Sequence, residues 1–216
     1  PARMVAGMLS RVLSRSELEE VLKRHCGVGF PRGEEEIEMV LRQLEREVNL
    51  FWTSSAGRVL DAVSCLLGVC FRRTYEGEPA MKLEAVASRG DASALDLELP
   101  VEKEQGRRVL NSTSLLMGVL EALERGIPRR HIAAGAQRSL AVGLAELAAE
   151  EAERAGIRNI GVSGGVFYNE AITRCVAEIA QKRGLKFFTH REIPPGDGGL
   201  SAGQAAYAAI FRPEPA

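Results

Sequence analysis

Apolar residues recur every three or four positions along most of this chain, and they alternate with polar ones only briefly. The stretches "RMVAGMLSRVL" and "SELEEVLKRHCG" carry the helical period, and Ser16 followed by Glu19 has the spacing of a capping box for the second. "GEEEIEMVLRQLEREVN" reads as a third amphipathic helix, whose acidic first turn suits the helix dipole. "TSSAGRVLDAVSCLLG" opens on hydroxyl residues suited to capping and sets Val59, Val63, Leu66 and Leu67 on one stripe. "GEPAMKLEAVASRG" is a shorter helix with Pro79 in its first turn. Further on, "STSLLMGVLEALERG" and the alanine-rich "RRHIAAGAQRSLAVGLAELAAEEAERAG" are helical, with Gly126 and Gly156 placed as C-terminal caps.

The period changes twice. "ALDLELPVEKEQGRRVLN" alternates leucine with acid and predicts a hairpin turning near Gly106. The last block reads strand, helix, strand, helix: "IRNIGVS", "NEAITRCVAEIAQKRG", "LKFFTH" and "GGLSAGQAAYAAIF". Such a βαβα unit calls for parallel strands and a right-handed crossover. The tail "RPEPA", with two prolines and no apolar anchor, is expected to be disordered over residues 212–216.

A helix-rich α/β chain of 216 residues can bury a sizeable core. Its 28 basic and 29 acidic side chains leave a net charge of -1, which gives no field for nucleic acid or a membrane surface. The N-terminus "PARMVAGMLSRVLSRSELEE" turns charged too soon for a secretory signal, and no apolar run is long enough to span a bilayer, so a cytoplasmic location is expected. Cys26, Cys65, Cys70 and Cys175 form no CxxC pair and have no histidine at metal-finger spacing, so they read as ordinary thiols.

The candidate chemistry lies in two glycine turns. "SGGVFYN" follows a short strand and opens a helix, where free backbone N–H groups and missing side chains let an anion come close. "PPGDGG" follows the next strand, and ligands collect outside the carboxyl ends of parallel strands, so both turns should face one crevice. Asp197 in the second turn either caps the final helix or meets a divalent metal. On sequence alone Asp61 reads better as a solvated helix carboxylate, and Asn169 could be only a helix N-cap. His190 and Arg191 follow the last strand, where they either face the crevice or are solvated.

Four blocks, "TSSAGRVLDAVSCLLGV", "TYEGEPAMKLEAVA", "GVSGGVFYN" and "HREIPPGDGGLSAGQA", resemble in this order the C-terminal signatures of the HypF carbamoyltransferases of hydrogenase maturation. The resemblance implies the second lobe of an actin-like ASKHA fold that binds ATP, spanning residues 51–211 after an N-terminal helical segment, 1–50. It would place Asp61 on the ribose hydroxyls with Gly77 in backbone contact nearby, Gly164 and Gly165 around phosphate, Asn169 on the nucleotide, and Asp197 on a divalent metal (Mg, Zn or Fe). The catalytic residues stay unknown. The implied chemistry runs from carbamoyl phosphate and ATP through carbamoyl-adenylate to the C-terminal cysteine of a HypE-like acceptor protein. Relatives acting on tRNA or a small-molecule hydroxyl, or a non-catalytic nucleotide-binding module, are the alternatives.

The family's paired-histidine HxxxH metal motif has no counterpart in His25, His131 and His190, and no four-cysteine zinc pattern occurs. The resemblance therefore implies a partner, the N-terminal part of HypF, in the same or another chain. Gln137 stands in "AQRSLA" where the family commonly has histidine, and Tyr168 and Glu170 flank Asn169 where glutamine and arginine are common.

Overall fold

The computed structural model describes residues 1–211; the proline-rich tail, 212–216, lies outside the described residues. Two compact units divide the chain, Pro1–Leu144 and Ala145–Ala216. The division falls within a long helix, not at residues 50–51 where the sequence reading puts it. The reason is packing: the N-terminal helix lies against helices from residues 56–66 and 112–124, so residues 1–50 share the core of the first unit.

The first unit is built from α1 (Ala2–Leu9), α2 (Arg15–Cys26), α3 (Glu34–Glu45), α4 (Ala56–Leu66), α5 (Glu78–Ala87), a hairpin of β1 (Val101–Glu104) and β2 (Arg107–Leu110), α6 (Ser112–Glu124) and the first part of α7 (Arg129–Arg154). The α2 helix starts one turn-fraction earlier than Ser16 would allow. Ser14 Oγ accepts from Glu17 N, and Ser14 N donates to Glu17 Oε2 at 2.8 Å, so the capping box uses Ser14 and Glu17 instead of Ser16 and Glu19. Both pairs have the required spacing; the earlier start completes the first turn before Leu18, which is buried with Leu22 and Cys26.

The α4 helix is the centre of this unit. Instead of showing one apolar stripe, it is buried on every side from Leu60 to Leu67, with Val59 half-buried, because α1, α2, α5 and α6 all pack on it. Burial of Leu60, Leu66, Leu67, Leu83, Leu115 and Leu116, each at most 1% exposed, supplies about 1.5–3 kcal/mol per side chain. The hairpin turns where expected: Gln105 and Gly106 both have positive φ, 50° and 80°, the backbone of a two-residue turn that matches strand twist, and Val101 pairs antiparallel with Leu110.

The second unit holds the end of α7, β3 (Asn159–Gly161), α8 (Glu170–Lys182), β4 (Lys186–Phe188) and α9 (Leu200–Ile210). The two strands are parallel, Ile160 opposite Phe187, as the βαβα pattern requires. Ala149 and Ala152 of α7 pack with Ile160, Ala180 and Leu185 into a small core. Arg183 adds an ion pair to Glu146 at its rim. Gly126 (φ 74°) and Gly156 (φ 68°) end α6 and α7 in the left-handed region, as C-terminal caps do. Among the described residues no helix is long and apolar enough to cross a membrane.

Candidate functional site

The parallel pair β3–β4 sends both chain ends toward the same side, and the two glycine turns meet there. Val162 N extends the ladder to Phe188 O at 3.0 Å. One residue later the strands part, and the carbonyl of Pro195 ties the turns together: it accepts Gly164 N at 2.6 Å and the hydroxyl of Ser163 at 3.3 Å. Between the turns opens a pocket of about 640 Å³ that includes Ser163, Gly164, His190, Gly196, Asp197 and Tyr207 in its lining. The expectation that both turns face one crevice therefore holds within this unit.

Gly164 adopts φ 103°, ψ 162°, a conformation open essentially to glycine alone. Gly165 has no such demand, and a Cβ on either residue would meet nothing within 4 Å. The space before this pair is open to a ligand, which is what a phosphate cradle requires. Gly196 and Gly199 are glycine for another reason: a Cβ would come 2.7 Å from the Tyr168 ring and 2.5 Å from the Pro194 carbonyl.

Asn169 sits at the start of α8, 6% exposed, with its Oδ1 accepting from Ile172 N at 3.0 Å. The N-cap role is thus occupied, which leaves the amide nitrogen as a donor for a ligand. Asp197 is exposed and does not cap α9. The short 3₁₀ turn Asp197–Gly199 intervenes, the N-cap position falls to Gly199, and neither element has a side-chain cap bond. Its carboxylate is available to the pocket, but among the described residues no three His, Cys, Asp or Glu side chains gather to hold a metal. One carboxylate does not make a metal site.

Asp61 and Gly77 belong to the first unit. Asp61 is not a solvated carboxylate: it is 2% exposed and its Oδ2 lies 3.1 Å from Arg58 Nη1. Burial pushes its carboxyl above the ordinary value, and Arg58 opposes the shift. Arg58 also reaches Glu76 Oε1 at 3.1 Å. Gly77, at φ 79°, lets the chain turn into α5. Glu78 follows, accepting from Thr74 N at 2.5 Å and Thr74 Oγ1 at 3.0 Å and pairing with Lys82 Nζ at 2.7 Å. The lysine and threonine bonds hold the Glu78 carboxyl at about 2.

Two arrangements lay outside the reach of spacing rules. His190 Nε2 lies 3.0 Å from Ser163 Oγ, a pairing across β3 and β4 that only the strand register creates. Cys26 and Cys65, both fully buried, meet between α2 and α4, where their hydrogen bond and then burial raise the Cys26 thiol.

Comparison with known proteins bears directly on this geometry. Residues 1–204 match the family described as carbamoyltransferase, Kae1-like domain, second subdomain. A relative from Methanocaldococcus jannaschii, "Probable carbamoyltransferase HypF", is 37% identical over 204 residues, which make up 94% of this chain and 25% of that protein. The crystal structure of T. kodakarensis HypF superposes with a TM-score of 0.85 at 41% identity, covering 96% of this chain and 27% of that one. A full-length HypF in a phosphate- and nucleotide-bound form superposes with a TM-score of 0.84 at 27% identity, covering 99% of this chain and 27% of that one. The chain thus spans about a quarter of the length of these relatives. The helix-rich α/β architecture is the one the ASKHA-type resemblance implies, and the chain belongs to the HypF carbamoyltransferase family, within which it corresponds to the second subdomain of the Kae1-like domain.

Proposed function

We propose that this chain is the nucleotide-holding second subdomain of a HypF-type carbamoyltransferase, which uses carbamoyl phosphate and ATP to carbamoylate the C-terminal cysteine of a HypE-like protein. That thiocarbamate is the precursor of the cyanide ligand in hydrogenase maturation. The observation that carries this reading is the pocket between the two turns, which Gly164 lines, with open space where a Cβ on Gly164 or Gly165 would stand. A relative of the same fold is described as phosphate- and nucleotide-bound, which supports placing a nucleotide phosphate at this cradle.

The work assigned to these residues is positioning. In the reading proposed here the carbamoyl group arrives as carbamoyl-adenylate, and the acceptor brings its own sulfur nucleophile, so the subdomain needs no covalent side chain. The backbone N–H of Gly165 stabilises charge on the departing phosphate, Gly164 leaves the room for it to approach while its own N–H holds the Pro195 carbonyl, and the Asn169 amide nitrogen donates to the nucleotide. Asp61, whose Oδ2 pairs with Arg58, is the residue assigned to the ribose through its other oxygen, and Gly77 contributes its backbone beside it. Asp197 would supply one carboxylate to a divalent metal, with the other ligands coming from the preceding subdomain.

The test joins this chain to the remaining domains of a HypF protein and supplies carbamoyl phosphate, ATP and a HypE acceptor. Mass spectrometry should find the carbamoyl group on the acceptor's C-terminal cysteine. Nucleotide binding without any transfer would replace this reading with that of a non-catalytic module.

A further inference from the structure

The pairing of Ser163 with His190 has no part in the phosphate cradle, yet both side chains line the same pocket. Its hydrogens can be counted. Ser163 Oγ lies 3.3 Å from the Pro195 carbonyl and 3.0 Å from His190 Nε2. A carbonyl only accepts, so in the bond to Pro195 the hydroxyl is the donor. With that bond made, the serine oxygen accepts from His190, which places the imidazole proton on Nε2 and leaves Nδ1 with its lone pair. The backbone holds this arrangement rigidly, since Gly164 N donates to the same Pro195 oxygen and Val162 N to Phe188 O.

We propose that His190, held in the Nε2–H form by Ser163, is the base that takes the acceptor's proton during transfer at this pocket; the inference rests on the function proposed above. The acceptor sulfur forms a bond to the carbamoyl carbon as the bond from that carbon to the phosphate oxygen breaks. The oxygen leaves with the electron pair as AMP, and the thiol proton goes to His190 Nδ1. Asp197 and Tyr207 share the pocket, and Arg191 and Glu192 adjoin His190 in sequence. Of these side chains imidazole is the type whose proton affinity suits transfer near neutral pH. His190 is the proton acceptor; Ser163 is a positioning residue.

The first measurement is long-range ¹⁵N–¹H correlation on the chain itself, which has three histidines. His131 is an internal standard, because its Nδ1 accepts from Asp91 N at 2.9 Å and so must carry hydrogen on Nε2. His190 should show the same form; hydrogen on Nδ1 of His190 would overturn the proposal. The second is the pH profile of carbamoyl transfer by the assembled enzyme. His190→Gln keeps an N–H donor for Ser163 but no base, so kcat should fall by about 10²–10⁴-fold with nucleotide KM unchanged, and the acid limb should vanish. Ser163→Ala should lower kcat and keep the limb. Transfer by His190→Gln with the wild-type limb overturns this inference alone; no transfer by the unaltered enzyme overturns the proposed function and the inference with it.

Discussion

Replacing the two cradle glycines by alanine, one at a time, should separate backbone strain from ligand contact. At Gly164 the observed φ of 103° with ψ of 162° is nearly closed to alanine, and the strain costs about 1–3 kcal/mol. The added methyl meets nothing within 4 Å, so the loss is entirely a backbone effect. At Gly165 the backbone lies outside the positive-φ region and the methyl again meets nothing. Alanine there should stabilise the chain by about 0.4–1 kcal/mol by restricting the unfolded state. The two variants should therefore differ by about 1.5–4 kcal/mol in urea unfolding followed by far-UV circular dichroism. Nucleotide binding should not follow stability. The Gly165 methyl occupies the space assigned to phosphate, so calorimetry with AMP should show at least about a tenfold weaker affinity, or about 1.4 kcal/mol, in the more stable protein. Equal stability of the two variants would refute the strain argument, and unchanged AMP affinity in Gly165→Ala would refute the cradle.

Asn169→Ala should cost about 0.5–2 kcal/mol through loss of the cap to Ile172 N, whereas Asn169→Asp keeps the cap and removes the amide donor, so it should unfold like wild type and bind AMP more weakly. Glu78, held at about 2 against an ordinary 4.5, adds stability that is fully present above pH 4.5 and is lost as pH falls toward 2; an acid titration of Glu78→Gln should be flatter than wild type in that window, and parallel curves would count against the Thr74 and Lys82 bonds. Asp197→Asn should change stability by less than about 0.5 kcal/mol, since the exposed carboxylate caps nothing. Metal analysis of the chain after dialysis against a chelator should find none retained, and stoichiometric zinc or iron would show that other residues here complete a site.

Local signals carried most of the element order. The hairpin at Gly106, the caps at Gly126 and Gly156 and the parallel β3–β4 pair follow from turn chemistry and period, which act over a few residues. The glycine turns were legible for the same reason. What escaped depends on packing between distant segments. Leu60 and Asp61 are buried because α4 is surrounded, so a helix with charge on its face carries no exposed face there. Cys65 lies five residues from Cys70 but meets Cys26 of α2, a contact set by tertiary packing. Asp197 reads as a cap, yet the 3₁₀ turn shifts the helix start to Leu200. Ser163 and His190 are 27 residues apart, and only the register of β3 against β4 joins them.

The claim on which the rest depends is that a nucleotide phosphate sits between the two turns of the second unit. Backbone amide NMR of the ¹⁵N-labelled chain, titrated with AMP, tests it most directly. The account predicts saturable shifts concentrated at Gly164, Gly165, Gly196 and Asp197, with the C-terminal turn of α8 around Ile179–Lys182 unmoved. Shifts that spare Gly164 and Gly165 while AMP binds elsewhere would contradict it.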